Sequence, residues 1–71
     1  MAQLTHEQYD LLERAIIDKR RIALMRRGTE YVVVPARLSV EGGREAIQAR
    51  HPSGNSMTFY IDEVQSIEAV K

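Results

Sequence analysis

Apolar positions in the first third of the chain recur at three- and four-residue intervals: Tyr9, Leu12 and Ile16, with Ala15 beside them. That spacing gathers them into one stripe on an α-helix. Thr5 can accept a hydrogen bond from a first-turn amide, and Gln8, three residues on, completes a capping box. Leu4 before the cap and Tyr9 after it form a hydrophobic staple. Glu7 and Asp10 favour the positive end of the helix dipole, and Lys19, Arg20 and Arg21 are placed to close its last turn as cations. The pattern predicts a helix over about 6–19.

The period then falls to two. Ile22 and Leu24 alternate with Ala23 and Met25, which predicts a strand bounded by arginine pairs. Gly28 and Thr29 are expected to make a turn, and Tyr31–Val34 is a β-branched run with high strand propensity. Pro35 lacks an N–H and marks a strand end, a bulge or an edge, with Ala36–Val40 extended beyond it. Gly42 and Gly43 supply the positive φ of a tight hairpin. Glu45, Ile47 and Ala49 alternate with Ala46, Gln48 and Arg50. A polar loop with Pro52, Gly54 and Asn55 follows. Met57, Phe59 and Ile61 then face one way, with Thr58 and Tyr60 the other. Asp62 and Glu63 break that run, and Val64, Ile67 and Val70 lead into a short last strand.

One helix ahead of short strands joined by tight turns predicts an α+β fold. The expected architecture is a single domain over 1–71, with an N-terminal α-helix followed by a small five-stranded antiparallel Sm/SH3-like β-barrel over about 21–70. Curling the sheet buries one face of each strand, and the helix stripe covers an open end.

With 71 residues, such a domain has a thin core, and a homodimer or partner subunit would add stability. Cysteine is absent, so no disulfide or thiolate metal site is available. The first residues lack an apolar signal-peptide core, and no run approaches the roughly 20 apolar residues of a membrane span. A cytoplasmic protein with no membrane role is expected.

Net charge is zero, but unevenly spread: 1–18 carry −3, 19–50 carry +5 and 51–71 carry −2. A basic middle can mark a polyanion-binding face, or the segments can neutralise one another on folding. Arg20, Arg21, Arg26 and Arg27 bracket one strand, with Arg37, Arg44 and Arg50 on neighbouring turns and strands. If they converge, they form a face for nucleic acid or a small anionic ligand, with Tyr31 or Tyr60 as a stacking surface. Two other roles stay open: charges flanking an apolar edge strand keep it from pairing with another chain, or the arginines pair with acidic groups of the helix and C-terminal segment.

Catalytic chemistry finds no constellation. His6 and His51 are far apart, without companions at ligand spacing. Ser39, Ser53, Ser56 and Ser66 have no nucleophile-elbow context. Gly42-Gly43 and Gly54-Asn55 are hairpin signals rather than a phosphate loop running into a helix. A binding module without cofactor or metal is expected, not an enzyme.

The helix with a basic end, the apolar strand, Tyr31–Val34 with Pro35, Leu38, Gly43 before a strand, and Phe59-Tyr60-Ile61-Asp62-Glu63-Val64 together resemble the core of WYL domains over about 12–70. These are Sm-like barrels of bacterial transcriptional regulators and phage-defence proteins. The resemblance implies a regulatory binding role. The Trp-Tyr-Leu stretch of that family would fall near Glu45, Ala46 and Ile47, where only Ile47 keeps its character. The family's ligand-gripping arginines would fall near Ser56 or Met57, and at Glu63. Sm-like RNA-binding proteins and Sm-like inhibitors of transcription termination share the helix-then-barrel order, without recognisable motifs here.

These observations lead to a bacterial or phage regulatory binding module contacting nucleic acid or an anionic ligand through Arg20, Arg21, Arg26 and Arg27. Arg44, Arg50 and Tyr31 complete the expected site. The alternative is a protein-interaction or oligomerisation module, using Leu11, Ile17 and Met25 as exposed apolar positions.

Overall fold

The structure, a computed structural model, describes residues 4–70. The ends of the expected domain, 1–3 and 71, lie outside the described residues. Helix α1 spans His6–Asp18. Both arms of its capping box are formed, Gln8 N to Thr5 Oγ1 at 3.2 Å and Thr5 N to Gln8 Oε1 at 3.0 Å. Leu4 is buried and Tyr9 packs against the same core, as the staple requires. The helix ends one residue earlier than its cations suggested. Lys19 takes a left-handed conformation at φ 55°, and both its amide and that of Arg20 turn back to the Ala15 carbonyl. No basic residue therefore lies in the last turn; Lys19 is the C-cap, and Arg20 and Arg21 follow it.

Five strands follow: β1 Ile22–Arg26, β2 Thr29–Glu41, β3 Arg44–Arg50, β4 Ser56–Tyr60 and β5 Val64–Ala69. They form one antiparallel sheet in the order β4-β3-β2-β1-β5. A 3-10 turn, Ile61–Glu63, sits between β4 and β5. The described sheet is not closed by hydrogen bonds between β4 and β5.

Strand β2 is long rather than short because Pro35 does not end it. Its first half pairs with β1 as far as Val33, opposite Ile22, and its second half pairs with β3 from Val34 onward. The register slips between Pro35 and Arg37, so the bulge falls where β2 changes partners. A proline is tolerated there because the β1 ladder has already ended.

The β1–β2 turn is Arg27-Gly28 rather than Gly28-Thr29. Both residues have positive φ, 52° and 79°, and Arg26 pairs with Thr29 across a two-residue loop. Gly42 and Gly43, at 57° and 80°, make the second such hairpin between Glu41 and Arg44.

Leu12 and Ala15 of α1 pack with Ile22, Leu24, Val33, Ile47, Phe59, Val64 and Ile67 on the inner face of the sheet. Every described core side chain is apolar. Leu11 and Met25 are half-buried, Leu11 against this core, so neither is the exposed apolar position the sequence suggested. Ile17 is, at 77% exposure. Among the described residues no helix is long and apolar enough to cross a membrane.

Candidate nucleic-acid interface

The seven arginines singled out in the middle of the chain divide into three sets. Arg20 and Arg21 precede β1, whereas Arg26 and Arg27 lie at its other end. Five residue steps of extended chain separate Arg21 from Arg26, about 17 Å. The four residues that bracket β1 therefore do not converge on one patch. A strand carries its flanks apart by its own length.

Arg26 turns toward the core. Its guanidinium carbon lies 5.1 Å from the centroids of both Tyr31 and Phe59, and its Nη2 donates to the Tyr31 hydroxyl at 3.2 Å. Tyr31 is itself 5.2 Å from Phe59, with the rings tilted 59°. The ring expected to stack on a ligand is half-buried and engaged on the protein side. Cation–π contact and the hydroxyl bond both hold Arg26 there.

Arg27 and Arg44 are neutralised by the 3-10 turn. Arg27 Nη2 donates to Glu63 Oε2 at 3.0 Å. Arg44 forms a two-point contact with Asp62 and approaches Glu63 Oε2 at 3.5 Å. Its hydrogen bonds and charge hold the Asp62 carboxyl below the usual carboxylate range, and Asp62 in turn raises Arg44. The Gly28 amide adds a bond to Gln65 Oε1 at 2.8 Å, so the β1–β2 turn is tied to β5 as well.

The third set lies on the outer face of β2, β3 and β4. Side chains alternate along a strand, so Ile47 and Ala49 of β3 point inward and Arg44, Ala46, Gln48 and Arg50 outward. Register builds rows across this face. Arg37, Gln48 and Thr58 form one row, Ser39, Ala46 and Tyr60 the next. Arg50, opposite Ser56, lies one row to the other side.

The rows are joined by side-chain hydrogen bonds. Gln48 Nε2 donates to Ser39 Oγ at 3.0 Å and to Glu41 Oε1 at 3.1 Å, and Thr58 Oγ1 donates to Gln48 Oε1 at 2.9 Å. At one end the Arg44 guanidinium stacks 3.9 Å from the Tyr60 ring centroid. Tyr60 pairs with Ala46, which is fully buried although it faces outward, so this stack lies over it. Among the described residues Arg37 and Arg50 have no carboxylate within 4.0 Å. Both are exposed.

No known family model matches this chain, and no curated protein matches it by sequence.

The polar cluster of Gln48, Ser39 and Thr58 is not evident in the sequence as a site, although the alternation in β3 and β4 already sends Gln48 and Thr58 outward. His51 serves its own loop. Its Nδ1 accepts from the Ser53 amide at 3.1 Å and lies 2.8 Å from Ser53 Oγ, while its backbone bonds to Gly54 and Asn55. Among the described residues no three His, Cys, Asp or Glu side chains group to hold a metal.

Proposed function

We propose that this protein is a non-enzymatic binding module that takes single-stranded nucleic acid across the outer face of β2, β3 and β4. One observation carries the reading: among the described residues the exposed Arg37 and Arg50 stand without carboxylate partners on a sheet face that also carries a hydrogen-bonding polar row. The two cations supply the salt-sensitive attraction to phosphates. The Gln48 and Thr58 donors are engaged within the row, which leaves the Ser39 hydroxyl as a donor and the Thr58 and Gln48 oxygens as acceptors for sugars and base edges. The outer surface of the Arg44 guanidinium, already stacked on Tyr60, offers a flat platform for a base.

A face three strands wide suits a splayed single strand better than a duplex, whose grooves require a protruding helix or ribbon. The strand order, the bend of β2 at its bulge and the 3-10 turn before β5 support assigning the curled sheet to the Sm/SH3-like barrels. With the WYL resemblance, this points to a regulatory role in the cytoplasm of a bacterium or in phage biology.

Backbone amide shifts during titration with oligothymidylate test the location. The reading requires them at Arg37, Gln48, Arg50 and Thr58. Shifts confined to Arg20 and Arg21 would move the interface to the opposite end of β1.

A protein-interaction module is the second reading, favoured by the unpaired outer edges of β4 and β5 and by exposed Ile17. A mass above the monomer, lost in Ile17→Gln, would support it.

A further inference from the structure

The cleft between α1 and the junction of β1 with β5 has a different chemistry from the outer sheet face. It is a solvent-open groove of about 590 Å³, within the range of small-ligand sites. Leu11, Ala15, Ile22, Ala69 and Val70 form its apolar lining. Six charged side chains also line it, three acidic and three basic.

Only one pair among these six is joined, Arg20 to Asp18 at 3.8 Å. Among the described residues Glu7 and Asp10 have no cation within 4.0 Å, and Arg14 and Arg21 have no carboxylate. Asp10 and Arg14 are four residues apart on one helix, the spacing at which opposite charges normally meet. They nevertheless stay apart, so the cleft presents an acidic station and a basic station over one apolar floor. The order along the helix makes the site polar in direction, with Glu7 and Asp10 nearer its start, Arg14 one turn further on, and Asp18 beyond it held by Arg20, while Arg21 lines the cleft from the β1 side.

We propose that this cleft binds a short zwitterionic peptide of about dipeptide length. Its ammonium lies at Glu7 and Asp10, its carboxylate at Arg14 and Arg21, and its aliphatic side chains lie on Leu11, Ala69 and Val70. Length decides between ligands. Four helical residues rise about 6 Å, and two extended residues span about 7 Å. A single α-amino acid holds both charges on one carbon and reaches only one station. A polyanion matches the basic station and is repelled by the acidic one, which separates this site from the nucleic-acid face. The charged groups are exposed, so affinity is modest and depends on both ends being charged.

The test is a titration of the whole protein with valyl-leucine, followed by backbone amide shifts, beside the same dipeptide acetylated at one end, amidated at the other, or both. The zwitterion should shift Leu11, Arg14, Ala15, Ile22 and Ala69, and each single cap should weaken binding about tenfold. Asp10→Asn should remove the penalty for acetylation, and Arg14→Gln the penalty for amidation. Both positions are exposed, so the fold is retained. Absence of shifts at millimolar dipeptide, or equal binding of the doubly capped form, would overturn the proposal. Loss on amidation alone would overturn it too, since that describes a simple anion site.

Discussion

Arg44 and Asp62 meet at two points, Nε to Oδ2 at 3.0 Å and Nη2 to Oδ1 at 2.7 Å. This pair joins the start of β3 to the 3-10 turn that precedes β5, and Glu63 beside it takes Arg27 from the β1–β2 hairpin. Cations from two hairpins thus converge on adjacent carboxylates. On the outer face of β2, β3 and β4 this pairing leaves Arg37 and Arg50, which among the described residues have no carboxylate within 4.0 Å.

The Arg44–Asp62 contact predicts an acid-sensitive contribution to stability. The Asp62 carboxyl is held below its ordinary value, mainly by hydrogen bonding to Arg44. A depressed folded-state pKa stabilises the fold above the unfolded value, near pH 4, and the contribution is lost as pH falls through the folded value. Asp62→Asn should therefore melt slightly below the parent at pH 7, with the gap closing at lower pH. Thermal melts from pH 7 to pH 2 check this. A gap that widens toward acid would exclude the contact as its source.

Thr5→Ala removes the side-chain acceptor for the Gln8 amide. Loss of such a cap destabilises by about 1 kcal/mol. Urea unfolding should show a lower midpoint with an unchanged slope, and Thr5→Ser should restore most of the loss.

Helix α1 was legible because its signals are local: Thr5, Gln8, Leu4 and Tyr9 lie within six positions. The Gly42-Gly43 hairpin, the alternation of β3 and β4 and the α+β class were legible for the same reason, whereas the β1–β2 turn falls one residue earlier than expected, at Arg27-Gly28. The Lys19 reversal was not, since a non-glycine residue at positive φ has no compositional marker. The fates of the arginines were not legible either. Arg27 meets Glu63 across 36 residues and Arg44 meets Asp62 across 18, so their neutralisation depends on sheet topology. Arg26 looked like a surface cation from its neighbours in sequence, and only the Tyr31–Phe59 contact shows why it turns inward.

Phe59 is fully buried, stands opposite Ile47 across β3 and β4, and packs on Tyr31 and Arg26. Phe59→Ala should cost about 3–5 kcal/mol. In so small a domain that approaches the whole folding stability, and amide dispersion should collapse. A well-folded Phe59→Ala protein would mean that the core repacks freely.

Gly43 sits at φ 80° with open space where a Cβ would project. Gly43→Ala therefore pays only for the left-handed backbone, about 1–2 kcal/mol, without a clash. A milder loss is expected for Gly43→Asn, because asparagine tolerates this region. Equal losses would show that the hairpin adopts another turn.

The central claim concerns the outer face of β2, β3 and β4, and salt-dependent oligothymidylate binding tests it most directly. Anisotropy of a labelled strand should show log affinity falling linearly with log salt. Arg37→Ala combined with Arg50→Ala should weaken binding at low salt and flatten the slope by about 1.4, the value for two lost phosphate contacts on a single strand. Arg20→Ala combined with Arg21→Ala should leave the slope unchanged. Absence of binding at low salt, or a slope that responds to Arg20 and Arg21 but not to Arg37 and Arg50, would contradict the account.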